Sequence, residues 1–389
     1  MLEVSSFVAA PLGGMTLGHL GADVIRIDPL GGAADQHRWP VTRDGTSLYW
    51  AGLNKGKRSV TLDLRAEEGR DAVRALLAQC LPRTAVVLTN SVGADWLSYE
   101  RLAEIKPDVV HVQVRGRHDG APAVDYTVNA EVGFPMVTGP AGHAGPVNHV
   151  LPAWDIACGL YAAAGVAAAA RHRDLTGQGS RLTVALADVA LAMAGNLGFL
   201  AEAQLNAVDR QRIGNHLYGG FARDFIARDG ARFMVVALTR RHWADLVAAT
   251  DNRAGVDALE KALAADFTHE DDRFEYREVL AGLFQHWFSA QSAQRVREVL
   301  AGTAVLWSQY RSFTEAVTEL QQGTGHPLVA EIDQPGVGPH LAPGCPLVVD
   351  DVRIPPRPSP VLGEHTDEVL AGLTPPLHDR PPLEAPAWP

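Results

Sequence analysis

The sequence predicts an α/β fold with a parallel sheet and a second, smaller domain, on three observations. Short β-branched runs alternate with segments of helical period through the first 206 residues, as parallel strands joined by right-handed crossover helices require. The chain of 389 residues is too long for one domain of roughly 150 residues. Beyond residue 215 the alternation gives way to a mainly helical pattern.

In chain order, Leu2-Glu3-Val4 is a strand, 11–20 a helix of small residues, and Ala22-Asp23-Val24-Ile25-Arg26-Ile27-Asp28 a β-branched strand, together one βαβ unit. The theme repeats with strands at 58–64, 85–89 and 109–114 and helices at 67–80 and 99–105. Residues 121–152 are rich in Gly and Pro and read as a string of turns, the kind of long loop that carries function. Residues 155–173 then form a helix stopped by Thr176-Gly177-Gln178-Gly179, 181–186 a strand, and 188–206 a helix. A domain over 215–330 has one strand at 232–238 after an Asp229-Gly230 turn, then helices at 243–263, 274–288 and 293–300. Residues 335–361 are punctuated by Pro and Gly, a terminal helix is capped by Thr366 or Asp367, and 374–389 form a Pro-rich arm. The expected division is 1–206, 215–330 and 331–389, the last returning to the large domain.

Composition removes several functions. Thirty-four Lys and Arg against forty-five Asp and Glu leave a formal charge of −11, which opposes wholesale binding of nucleic acid or an anionic membrane. Three cysteines without a CxxC pair write neither a zinc knuckle nor a disulfide framework, and fit a reducing cytoplasm. The most apolar run, 156–170, reads as a buried helix, and no leader pattern opens the chain. None of the fifteen histidines stands in HExxH or another recognised ligand spacing, so no metal is expected. Nucleophile-elbow and phosphate-loop motifs are absent. Asp28, an acid closing the second strand, suits a nicotinamide enzyme, but Ser5 to Gly14 carry no G-x-G-x-x-G where a pyrophosphate needs bare backbone.

What remains is a carboxylate. Asp155 follows Leu151-Pro152-Ala153-Trp154 at the entry of the Ala-rich helix. Its ordinary role there is an N-cap. The same place also suits a nucleophile, because helix N–H groups keep a carboxylate ionised and directed outward.

Five ordered motifs resemble the class III CoA-transferase family, which includes formyl-CoA and carnitine-CoA transferases and α-methylacyl-CoA racemases. Ala9-Ala10-Pro11 through Gly21-Ala22-Asp23-Val24-Ile25-Arg26-Ile27-Asp28 resembles its opening. Asn54-Lys55-Gly56-Lys57-Arg58-Ser59, Asp125-Tyr126-Thr127-Val128-Asn129-Ala130, Thr176-Gly177-Gln178-Gly179 and Leu362-Gly363-Glu364-His365-Thr366-Asp367 continue the series. The resemblance implies a Rossmann-like large domain built from both chain ends, a smaller α+β domain, and an interlocked homodimer. It makes Asp155 the nucleophile. No cofactor is permanently bound; coenzyme A arrives as part of an acyl-CoA substrate, with Val8, Ala9, Lys57, Arg58, Asn90 and Asp125 as its binding residues. Gly219 and Gly220, in a loop with Tyr218, are the candidate oxyanion donors, since Gly allows close approach.

Departures sort the branches. The racemase branch has a His before the Asp of its D-x-x-x-Q motif and a Glu after the later strand; Val124 and Thr239 stand there instead, and valine carries no proton. Asn129 replaces the usual Gln. Phe7 to Thr16, Arg38-Trp39-Pro40-Val41-Thr42 and Asn148 to Ile156 resemble a narrower branch that moves CoA between the C1 and C4 carboxyls of mesaconyl-CoA. That implies a small closed pocket, with Trp39, His149, Trp154 and Tyr218 as walls. The alternatives are an intermolecular transferase with a separate acid acceptor and, more remotely, a racemase or an NAD(P)-dependent oxidoreductase.

Overall fold

In the computed structural model, which describes residues 1–91, 93–323 and 325–373, the chain divides into two compact units. The first comprises Met1–Val132, His149–Ala207 and the described residues beyond 324; the second comprises Gly133–Asn148 and Val208–Gly323. The sequence-based division differs chiefly in missing the excursion of 133–148. That segment joins the second unit through contacts no local pattern announces: Arg212 Nη2 donates to Pro135 O (2.9 Å) and Gly214 N–H to Gly139 O (3.1 Å). The arm expected over 374–389 lies outside the described residues.

The first unit is built on six parallel strands, β1 (Leu2–Val4), β2 (Ile25–Pro29), β3 (Arg58–Leu62), β4 (Val86–Thr89), β5 (Val110–Arg115) and β6 (Ser180–Ala185), in the order β3-β2-β1-β4-β5-β6. Central strands such as Val86-Val87-Leu88-Thr89 are buried at every residue, as a parallel sheet covered on both faces demands. Val73 and Leu77 of one covering helix and Leu102 of another share a core with Leu2, Ile27, Val60 and Val87. The strand order reverses between β1 and β4, and there the chain leaves the sheet in opposite directions, opening a crevice at the carboxyl ends of the strands.

The helices of this unit are α1 (Ala9–His19), α2 (Leu48–Leu53), α3 (Glu67–Ala78), α4 (Tyr99–Ile105) and α5 (Asp125–Glu131); after α6 (Phe134–Val137) of the second unit come α7 (Ala153–Thr176), α8 (Leu186–Asn196) and α9 (Phe199–Asn206). Residues 121–152, expected as turns, therefore hold two short helices. The expected 188–206 helix is broken at Gly198, which adopts a left-handed φ of 84°. Helices α1 and α7 meet backbone to backbone: a Cβ on Gly159 would stand 2.5 Å from the carbonyl oxygen of Ala9, and one on Gly13 3.0 Å from that of Gly159. The C-terminal segment returns to β3, where Thr61 N–H donates to Thr366 Oγ1 (3.0 Å) and Ser59 N–H to His365 Nδ1 (3.2 Å). Thr366 is thus a sheet contact and not the cap of the Thr366–Ala371 helix, whose N-cap is His365.

The second unit carries an antiparallel sheet of β7 (Phe221–Ile226), β8 (Arg232–Ala237) and β9 (Leu306–Gln309). Phe221, Phe225, Phe233, Phe284 and Phe288 are all buried in its core, and Phe225 stacks on Phe288 with centroids 4.5 Å apart. The expected 243–263 helix splits into Arg240–Ala249 and Arg253–Leu263 at Asp251, φ 53°.

Candidate active site

The crevice between β1 and β4 is laced shut at its base by one side chain. Asn90, directly after β4, accepts the N–H of Ser6 (3.1 Å) and donates to the Ser6 carbonyl (2.7 Å), so the loop after β1 is fixed on both faces. The next residue, Phe7, has a left-handed φ of 66°, a conformation that costs a non-glycine residue on the order of 1 kcal/mol. Its N–H is held by Asp35 Oδ2 at 3.1 Å. Asp35 is buried and clamped by Arg26, whose guanidinium also binds Asp28 (2.9 Å) and Asn54 (2.9 Å) and lies over the Trp50 ring. Asp28, which the sequence offered as a ribose reader, is fully enclosed in this network. It is a structural counter-ion.

Asp155 is the third residue of α7. It does not cap the helix. That duty belongs to Asp125, the first residue of α5, whose Oδ2 accepts the N–H of Trp154 (2.7 Å) and of Asp155 (3.2 Å) while Oδ1 meets His149 Nε2 (3.0 Å). Trp154 is buried behind this pair, its indole N–H donating to Asn129 Oδ1 at 3.1 Å. Asp155 is left free to face the crevice. Burial, with the neighbouring Asp125 charge adding to it and Arg38 opposing it, pushes its carboxyl up to about 7. A carboxylate so raised is a stronger base and a better nucleophile than one in water.

Both groups open onto a cavity of about 760 Å³ in the first unit. Of the sequence-predicted residues it is lined by Val8, Ala9, Trp39, Asn90, Asp125 and Asp155; His149 and Trp154 stand behind the wall through their bonds to Asp125 and Asn129. Val124 lines the same cavity, so an apolar side chain occupies the place where the racemase branch has its His. Sequence reasoning passed over Phe7, Arg38 and Tyr49 as functional side chains. All three line the cavity, with the Arg38 guanidinium 5.5 Å from the Phe7 ring centroid and 5.3 Å from that of Tyr49. The signals for Phe7 and Arg38 were the Phe7 to Thr16 and Arg38-Trp39-Pro40 runs, and none pointed to Tyr49.

Two expected ligand contacts are corrected. Lys57 is buried, with Nζ on Glu3 (2.8 Å), Pro11 O (2.9 Å) and Asn54 Oδ1 (2.9 Å), so its ammonium has no face left for a phosphate. Arg58 opens β3, at the amino end of the parallel strands, and pairs with Asp23 and Glu368; the cavity lies at their carboxyl ends. Tyr218, Gly219 and Gly220 belong to the second unit, where Tyr218 packs on Phe274 (5.0 Å) and the Arg210 guanidinium (3.7 Å) and Gly219 takes φ 76°.

Comparison with known proteins adds an independent line. The profile of CoA-transferase family III matches residues 1–366. The chain is 48% identical over 373 residues to 2-methylfumaryl-CoA isomerase of Chloroflexus aurantiacus, covering 95% of this chain and 91% of that protein. It is 27% identical over 392 residues to succinyl-CoA:mesaconate CoA-transferase of Haloarcula marismortui, covering 95% and 94%. Among solved structures, a CAIB/BAIF family protein from Brucella suis superposes with a TM-score of 0.76 at 25% identity, covering 96% of this chain and 97% of that one.

Proposed function

The chain belongs to CoA-transferase family III, and from that premise we propose that it is a 2-methylfumaryl-CoA isomerase, moving CoA from the C1 to the C4 carboxyl of mesaconyl-CoA. The observation that carries the reading is Asp155: a half-buried carboxylate with its capping duty handed to Asp125, facing a cavity at the reversal point of the sheet.

The chemistry follows from position. Asp155 attacks the C1 thioester carbonyl; the C–S bond breaks and CoA leaves as thiolate, giving a mixed anhydride. The thiolate attacks the Asp155 carbonyl of that anhydride and releases the C1 carboxylate, leaving an aspartyl-CoA thioester. The C4 carboxylate attacks this thioester, expelling the thiolate and forming the second anhydride. The thiolate then attacks C4, and Asp155 regains its charge. Holding both reactants in one cavity supplies an effective molarity on the order of 10⁵ M or more. The Tyr218-Gly219-Gly220 loop remains our candidate for oxyanion stabilisation.

Val124 in place of a proton-carrying side chain supports transfer over racemisation. The three cysteines, all free, support a reducing compartment such as the cytoplasm, and the family resemblance supports an interlocked homodimer; a sedimenting mass of one 41.7 kDa chain would remove the latter. The deciding experiment is incubation with mesaconyl-C1-CoA alone, read by mass spectrometry and chromatography, wild type beside Asp155→Ala. The C4 isomer forms with the wild type only. Turnover by Asp155→Ala at a comparable rate overturns the mechanism, and product that appears only on adding a free acid makes the enzyme an intermolecular transferase.

A further inference from the structure

Resting on the isomerase reading, we propose that Arg38 receives the free carboxylate of the substrate and thereby selects dicarboxylate esters.

A CoA group that migrates within one acid leaves a second carboxylate in the cavity at every stage. That charge sits among Asp155 and Asp125, and like charges in a partly desolvated cavity repel. The cavity needs a cation. Two arginines line it, Arg38 and Arg115. Arg115 is committed to its own strand: Nε and Nη2 both donate to Gln113 Oε1, the former at 2.9 Å. Arg38 forms no ion pair among the described residues. Its guanidinium rests near the rings of Phe7 and Tyr49 and hydrogen-bonds the Tyr49 side chain, an arrangement that holds the cation against the rings while its five-donor fork has further N–H groups for a planar carboxylate.

The support beneath it is rigid. Arg38 N–H donates to Asp35 O (3.2 Å) and Arg38 O accepts from Ser47 Oγ (2.6 Å). Asp35 also holds the Phe7 N–H and is itself clamped by Arg26. One buried anchor therefore sets both the cation and the ring beside it. Lysine in this place would keep the charge but lose the two-pronged geometry.

The test uses the full chain with two esters: mesaconyl-C1-CoA, and 2-methylbut-2-enoyl-CoA, in which a methyl replaces the free carboxylate. Acylation of Asp155 is captured with hydroxylamine and read by intact-protein mass at sub-saturating ester, for wild type, Arg38→Lys and Arg38→Ala. The proposal expects the wild-type preference for the dicarboxylate ester to fall on the order of 100-fold in Arg38→Ala, the scale of a charge-assisted hydrogen-bond pair, and by less in Arg38→Lys. An unchanged preference in Arg38→Ala overturns it. So does an equal loss on both esters, which would put Arg38 on the CoA moiety or on Asp155. Failure of the wild type to produce the C4 isomer removes the isomerase reading alone, because the ratio of acylation rates still decides the role of Arg38.

Discussion

Asp125 and Asp155 stand thirty residues apart in sequence, yet one carboxylate of the pair caps the helix that carries the other, Oδ2 of Asp125 lying 3.2 Å from the Asp155 nitrogen. The arrangement separates two tasks usually combined at a helix N-terminus. One acid satisfies the backbone donors, and its charge adds to the burial that keeps the second acid from ionising easily. Structure and reactivity are thereby coupled through a single side chain.

Asp125→Asn tests that coupling. Asn keeps an acceptor for the helix and loses the charge, so the Asp155 carboxyl becomes more acidic and the acid limb of kcat/KM moves to lower pH. Asp125→Ala also strands two N–H groups and costs about 1–3 kcal/mol of stability. pH–rate profiles beside denaturant titration check both; an acid limb that stays in place in Asp125→Asn would show that the charge does not reach Asp155.

The pH dependence of the wild type follows from Asp155 itself. In the proposed mechanism only the ionised form attacks, so kcat/KM rises with pH through about 7 and levels off above it. The stability effect has the opposite sign. The folded state holds this proton more tightly than an unfolded chain, whose Asp titrates at roughly 3.9, so ionisation costs stability progressively from about pH 4 to about 7. Asp155→Asn removes that cost: it is neutral near pH 4 and stabilises by up to about 2 kcal/mol above pH 7, after discounting for partial exposure. Denaturant midpoints at pH 4 and pH 8 measure it, and an equal effect at both is the contrary result.

Lys57 separates a structural cation from a ligand contact. Removing it leaves Glu3 charged and enclosed, so Lys57→Ala destabilises by about 3–5 kcal/mol, and pairing Lys57→Met with Glu3→Gln recovers much of the loss. Thermal denaturation and KM for the ester are the two measurements. A tenfold rise in KM for Lys57→Met at unchanged stability would return Lys57 to the CoA site.

The parallel sheet was legible because its strands are β-branched and buried on both faces, as at Val86-Val87-Leu88, and because crossover helices keep their period. Asp155 was legible by its helix entry and by family resemblance. The membership of 133–148 in the second unit was not, since it rests on Arg212 reaching carbonyls 69 and 77 residues away. Lys57 and Arg58 looked alike in the Asn54 to Arg58 run; their different fates depend on Glu3, fifty-four residues from Lys57. Arg38 and Tyr49 come together only because Asp35 and Ser47 fix the intervening chain, and exposed polar loops carry no period from which such pairings could be read.

The glycine crossing of α1 on α7 has a chemical consequence. With no side-chain layer between Gly13 and Gly159, the start of one helix, bearing Val8 and Ala9, and the start of the other, bearing Asp155, form a single anvil with no room to slide. In the proposed mechanism one sulfur atom visits three carbonyl carbons in turn, and the anvil does not travel to meet them. In that mechanism the moving part is the tethered arm of the substrate itself.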